Sequence, residues 1–370
     1  MSDNPEQYIH YPQQPPPAGP LGPPQGPTEP MYYQAPQPGV VPLRPLDVGS
    51  LIGGSFKAIF RNWQPALLLP FIASLVTAAI GIVPAFILFS QTLANVNGRT
   101  TPDQALSFLG GWLLIMVIEL VLVIAVSVTT QAVVTITVSR AVLGRSTTIG
   151  QALRAAAPRL LPLLGLTTLI WLIVAGCAFV PFAALVALAV AAQAPGLALL
   201  AFLVLVAGIV AGAYFWVSYA FAPAALVMEP APVLTALRRS RWLVTDNWWR
   251  SFGILLLCGV MVYIASYLVE LPVSLAQFGQ LAQYSTMGGR PDPAQVFGAL
   301  FSPTTAILIT VGSAVVYALG QAFMIGVSTL LYHDLRIRKE SFHLALWQMS
   351  QLPDDLSPGA TATPHPEATI

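Results

Sequence analysis

Charge is what this sequence has least of. Only 8% of its 370 residues are Asp, Glu, Lys or Arg, where soluble domains carry about a quarter, so the chain lacks the means to cover itself with a water-soluble surface. Lysine is almost missing, with Lys57 and Lys339 set against fourteen arginines. The two cysteines, Cys177 and Cys258, exclude a disulfide framework, because each sits inside an apolar run where a thiol packs as a small hydrophobe. The four histidines, His10, His333, His343 and His365, fall in the terminal tails or beside one charged motif. None has metal-ligand spacing, so neither a metal centre nor a cofactor is expected. There is no GxSxG, HExxH or Walker sequence, and no acid and base stand adjacent on one helix, so an enzyme is not expected. No basic start followed by an apolar core occurs in the first forty residues. A cleaved signal peptide is therefore not expected, and the first apolar run serves as its own insertion signal. A net charge of +1 gives no reason to expect nucleic-acid binding.

What is present is hydrophobic: 56% of the chain, with a mean hydropathy of +0.72. Six apolar runs, at about 65–90, 111–140, 160–192, 197–227, 252–275 and 304–332, each exceed the ~20 residues that cross ~30 Å of hydrocarbon. The fold class is thus an all-α integral membrane protein with six transmembrane helices, kinked at Pro84 and Pro181. Only Gln193, Ala194, Pro195 and Gly196 separate the third run from the fourth, which predicts a tight helical hairpin, and Gly208 and Gly212 predict close helix packing within it. Residues 1–45 form a Pro-, Gln- and Gly-rich tail and residues 353–370 a polar, Pro-rich one. Both are expected to be disordered, flanking a single membrane domain at 46–352. PxxP spacings in the first tail could dock a proline-reading protein partner.

Orientation follows from the positive charges. Fourteen of the sixteen Lys and Arg residues flank alternate ends of the runs on one side, while Arg99 and Arg290 lie on the other. Flanking positive charge stays in the cytoplasm. A multi-pass bacterial inner-membrane protein with both termini cytoplasmic is the expectation. Three segments on that side, SLIGGSFKAIFRNWQP, TTIGQALRAAAPRLLP and PVLTALRRSRWLVTDNWW, each precede two spans and read as interfacial amphipathic helices. The later two share Ala152-Leu153-Arg154 and Ala236-Leu237-Arg238, and Val-Ser closes the second span of each unit at Ser139, Ser218 and Ser328. These matches allow a threefold repeat of surface helix plus hairpin. After the sixth run LLYHDLRIRKESFHLAL begins the surface motif again.

The cationic side carries Arg154, Arg159, Arg238, Arg239, Arg241, Arg250, Arg336, Arg338 and Lys339, with Trp242 and Trp249 among them. Cations beside indoles suit a headgroup layer, so the partners are the lipid bilayer and acidic lipid headgroups. They either fix topology only or also form a ring that holds headgroups or a soluble protein. Within the last motif, Asp334 to Arg338 and Arg336 to Glu340 are four-residue helical steps, read as salt-bridged anchors.

Two carboxylates lie inside apolar runs, Glu119 and Glu270. A charge near the bilayer centre costs roughly 3 kcal/mol, which makes each a functional candidate. Below Glu119, Ser127, Gln131, Thr135 and Ser139 recur every fourth residue; Ser266, Glu270 and Ser274 do so on the fifth run beside Tyr263 and Tyr267; Ser313, Tyr317 and Gln321 do so on the sixth. Either Glu119, Gln131, Thr135, Tyr267, Glu270 and Gln321 face one another around a polar cavity, or the polar groups are interhelical glue with Glu119 protonated and hydrogen-bonded.

The stretches ALVMEPAPVLTALRRSRWLVTDNWWRSFGI, LLYHDLRIRKE and RPLDVGSLIGGSFKAIFRNW resemble segments of actinobacterial multi-span proteins related to the membrane domain of glycerophosphoryl diester phosphodiesterases. Glu229, Arg238, Arg239, Trp242, Trp249, Asp334, Arg336 and Arg338 stand at matching positions. The resemblance implies the membrane module without the catalytic barrel, since too few residues follow Tyr332 to build one, and it carries over no catalytic role. A non-enzymatic scaffold or accessory module in lipid or envelope processes is one expectation; a small permease with a cavity near Glu119 and Glu270 is the other.

Overall fold

The computed structural model describes residues 37–96, 102–194, 196–229, 231–286 and 303–351. Of the segments expected to be disordered, 1–45 and 353–370, residues 1–36 and 353–370 lie outside the described residues, as do Arg99 and Arg290. Every regular element among the described residues is helical.

Helix α1, Val48–Arg61, starts at Asp47, whose carboxylate accepts the Ser50 N–H at 2.9 Å. Hydrogen bonds from the Ser50 side chain and backbone hold that carboxyl below the ordinary carboxylate range. A π turn, Gln64–Leu68, containing Pro65 leads into α2, Leu69–Val96. Then come α3, Pro102–Val142, and α4, Ile149–Ala191. A capping box opens α4: Thr148 Oγ1 accepts from the Gln151 N–H at 3.4 Å and Gln151 Oε1 from the Thr148 N–H at 3.1 Å. The chain continues with α5, Gly196–Tyr219, the short α6, Ala222–Met228, and α7, Val233–Val244. A 3-10 turn, Thr245–Asn247, joins α7 to α8, Trp248–Thr286, and the last elements are α9, Pro303–Glu340, and α10, His343–Gln351.

Six helical stretches are long and apolar enough to cross a membrane: Gln64–Gly81, Leu106–Val142, Ile149–Ala191, Gly196–Met228, Val233–Pro272 and Thr310–Glu340. Their order matches the six apolar runs. Two expected surface segments are not separate helices, however. The residues around Arg154 and Arg159 are the first turns of α4, and LLYHDLRIRKE is the last part of α9. The 43 residues of α4 extend about 65 Å, so a helix can pass its basic start beyond a hydrocarbon layer without breaking. The capping box at Thr148 sets its start and its prolines, Pro158, Pro162 and Pro181, do not interrupt it.

The buried core gathers at the end of the bundle that carries the basic residues. There α3 buries Val133, Val134 and Val138, α9 buries Leu330, Leu331, Tyr332 and Leu335, and all seven residues of α6 are buried. Nearer the other end α3 exposes Leu113, Leu114, Met116, Val117, Leu120 and Val121. Helix α9 is central, packing on α1, α2, α3, α7 and α8.

Two close approaches lock the periphery. A Cβ added to Gly208 of α5 would lie 2.5 Å from the Cys177 carbonyl oxygen of α4, so the hairpin requires glycine there, as the GxxxG spacing predicts. The N-terminal tail also ends earlier than residue 45. Val40, Val41, Leu43 and Leu46 are buried, and the Val40 N–H donates to the Ala141 carbonyl at 3.2 Å. These four aliphatic side chains give residues 37–46 enough apolar surface to pack.

Candidate functional site

Helices α2, α3, α8 and α9 line an open cavity of about 500 Å³. Periodicity builds its walls. On α9, Ser313, Tyr317 and Gln321 follow at four-residue steps; on α8, Val262, Ser266 and Glu270 do the same. Glu119 enters from α3, and Ser74 and Thr77 from α2. Among the described residues, no Lys, Arg or His lines it.

Several hydroxyl protons are already used within their own helices. Ser266 Oγ donates to the Val262 carbonyl at 2.8 Å, Ser313 Oγ to Thr310 at 3.1 Å and Ser74 Oγ to Phe71 at 2.8 Å. Their oxygens face the cavity as acceptors. Glu119 packs against α2 where Gly81 leaves room: a Cβ on Gly81 would lie 2.5 Å from Glu119 Oε2. Among the described residues that oxygen is buried without a hydrogen-bond partner. Two carboxyl side chains thus share the cavity with serine hydroxyls and with two groups that also donate, the Tyr317 phenol and the Gln321 amide, and no cation joins them among the described residues.

Of the six residues expected around such a cavity, Glu119, Glu270 and Gln321 line it and three do not. Gln131 and Thr135 lie further along α3 in the core, Gln131 half-buried and Thr135 fully buried. The cause is geometric: steps of four residues advance about 40° around a helix, so the stripe that begins at Glu119 has left the cavity face by Gln131. Tyr267 is 57% exposed on the outside of α8. The residues missing from the sequence reading are Ser74 and Thr77, whose spacing to Gly81 puts small and polar groups on one face of α2.

The cationic end divides into paired and unpaired groups. Asp334, with no exposed side-chain surface, receives Arg250 Nη1 at 2.6 Å and Arg338 Nε at 3.0 Å. It also accepts the Leu46 N–H at 2.7 Å, while Arg250 Nη2 reaches the Leu46 carbonyl at 2.7 Å. A second group joins Glu229, Arg239, Arg336 and Glu340 in alternating sign. Arg239 Nε lies 3.3 Å and Arg336 Nη1 3.6 Å from Glu229, Arg336 Nε lies 2.9 Å from Glu340, and Arg239 closes the ring on Glu340. The Tyr332 hydroxyl donates to Glu229. Lys339 pairs with Asp246 at 2.7 Å, and its ammonium lies 4.9 Å from the Trp242 ring, with the Arg239 guanidinium 5.3 Å from the same ring. Both four-residue steps, Asp334 to Arg338 and Arg336 to Glu340, are ion pairs.

Arg239, Arg250, Arg336, Arg338 and Lys339 therefore pair with protein carboxylates. Arg250 and Lys339 find theirs, Asp334 and Asp246, far along the sequence, whereas Arg336 and Arg338 find theirs four residues away. Arg154, Arg159, Arg238 and Arg241 take part in no ion pair among the described residues, and Trp242 and Trp249 are exposed.

Residues 75–335 match the model of a family described as a domain of unknown function, DUF7847. No curated protein matches the chain, and no solved structure does.

Proposed function

The chain belongs to the DUF7847 family, and from that premise we propose that it is a six-span bacterial inner-membrane protein, cytoplasmic at both ends, that takes a small solute with a positively charged amino group into its acidic cavity. The six long apolar helices and their exposed aliphatic side chains support residence in a bilayer. The distribution of Lys and Arg along the sequence supports the orientation.

One observation carries the solute reading: Glu119 and Glu270 line one cavity that no Lys, Arg or His lines among the described residues. A volume of about 500 Å³ falls within the roughly 300–1,000 Å³ usual for small-molecule sites and far exceeds the ~30 Å³ of one water. Keeping two carboxylates in such helices costs about 3 kcal/mol each near the bilayer centre, and a bound ammonium offsets that cost where hydroxyls alone do not.

Titration calorimetry of the full-length protein in detergent with butylamine tests the reading. Saturable binding is expected, weakened at least tenfold by Glu119→Gln and by Glu270→Gln. Failure of the unaltered protein to bind, or binding by both variants as tight as its own, overturns it. Reporter fusions at the two termini test the orientation, with cytoplasmic reporters active at both.

A second reading, an accessory module held on acidic headgroups for lipid or envelope processes, is favoured by Arg154, Arg159, Arg238 and Arg241, which form no ion pair among the described residues, together with the exposed Trp242 and Trp249. Flotation with vesicles cannot separate inserted protein, so the discriminating measurement is enrichment of anionic lipid around the four-Gln variant in mixed nanodiscs. Unchanged enrichment removes this reading.

A further inference from the structure

The acidic cavity has an apolar neighbour. A groove of about 340 Å³ runs between α8, α9 and the end of α1. Phe56 and Phe60 of α1, Met261 and Val269 of α8, and Leu319 and Phe323 of α9 line it. All of these but Phe323 are at least 39% exposed, so the groove opens outward onto the surface read here as facing hydrocarbon.

Groove and cavity share Val262, Ser266, Val316 and Gly320. Only the contact between α8 and α9 divides them. At one level that contact is closed, since a Cβ on Gly320 would lie 2.8 Å from Val262 Cγ1. Eight residues earlier on α9 the helices are in looser, ordinary van der Waals contact: among the described residues, a Cβ on Gly312 would meet Val269 Cγ1 at 3.9 Å. The loose level is also where the acid is, because Glu270 follows Val269 on α8 and Ser313 follows Gly312 on α9, and both line the cavity.

We propose that the solute is an amphiphile with one amino group and one alkyl chain. The ammonium sits between Glu119 and Glu270, the chain crosses the α8–α9 seam as the two helices part at Gly312 and Val269, and its remainder lies in the groove against Phe56, Phe60 and Phe323. Hydrocarbon already solvates an alkyl chain, so the groove selects by shape and contact rather than by the hydrophobic effect. The seam gives such a molecule a sideways path from the bilayer. A short amine would fill the cavity and leave the groove empty.

This inference rests on the cavity being an amine site, and the test separates the two. Full-length protein in phosphatidylcholine nanodiscs is titrated with butylamine and with dodecylamine, the latter corrected for partition into empty discs. Dodecylamine is expected to bind at least tenfold more tightly. Ala265→Trp fills the groove from an exposed position on α8 that does not line the cavity. It is expected to abolish the dodecylamine advantage and leave butylamine binding unchanged, which also reports that the variant is folded; Val315→Trp, from α9, repeats the test should the first variant fail to fold. Equal affinities in the unaltered protein, or a dodecylamine advantage that survives the tryptophan, overturn the amphiphile inference while the amine site stands. Absence of butylamine binding by the unaltered protein overturns both.

Discussion

The Asp334 carboxylate, near the end of α9, holds the Arg250 guanidinium of α8 at 2.6 Å across 84 residues of sequence. Around the same carboxylate lie Arg338 and the backbone N–H of Leu46, so one fully buried acid ties α8, α9 and the segment preceding α1. Removing it would leave two guanidinium groups facing each other and an amide without an acceptor. Losing one partner of a buried pair costs about 3–5 kcal/mol. Asp334→Ala is therefore expected to lower the thermal midpoint in detergent and to open residues 37–46 to limited proteolysis. An unchanged midpoint with the segment still protected would contradict this role.

The ring of Glu229, Arg239, Arg336 and Glu340 allows a finer test through Tyr332, whose hydroxyl donates to Glu229. Tyr332→Phe removes that hydroxyl and little else. Hydrogen bonds to charged groups contribute about 1.5–3 kcal/mol, and the loss is expected near that range. Because Arg336 and Tyr332 share Glu229, a double-mutant cycle with Arg336→Gln should show coupling of about 0.5–3 kcal/mol. Strict additivity in unfolding measurements would mean that the two do not act through the shared acid.

These long-range pairs mark where the sequence ceases to be legible. The six apolar runs, the hairpin turn near Gln193 and the pairs Asp334–Arg338 and Arg336–Glu340 depend on spacing along one or two adjacent helices, and spacing is written in the sequence. Arg250 and Arg239 look the same in sequence whether a lipid phosphate or a distant carboxylate receives them. Only the fold brings Asp334 and Glu229 to them. Glu119, Glu270 and Gln321 were legible as a cavity because a polar group in an apolar run needs company. Gln131 was not separable from them, because its regular step conceals a slow rotation about α3.

Close helix packing predicts a contrast between two glycines of the α4–α5 hairpin. At Gly208 a methyl group would meet backbone, 2.5 Å from the Cys177 carbonyl oxygen, and backbone yields only if the helices separate. At Gly176 nothing lies within 4 Å. Overpacking typically costs about 1–3 kcal/mol, whereas alanine in an open helical position gains up to about 1 kcal/mol over glycine. Gly208→Ala should lower the thermal midpoint and Gly176→Ala should hold or raise it. Equal shifts in one direction would argue against contact at Gly208.

Gly81 offers a way to move the acid without deleting it. Its missing side chain is the space that Glu119 Oε2 occupies, and a methyl group there would approach within 2.5 Å of that oxygen. What must yield is the tip of a flexible side chain, so the backbone can stay in position and Gly81→Ala should change stability by less than about 1 kcal/mol. The carboxylate must swing away from α2, and butylamine affinity should fall several-fold. Shortening the acid returns the space, so Gly81→Ala combined with Glu119→Asp is expected to bind more tightly than Gly81→Ala alone. A purely structural glycine would give the opposite pattern, with stability lost and affinity retained in the single variant, and no rescue in the double one.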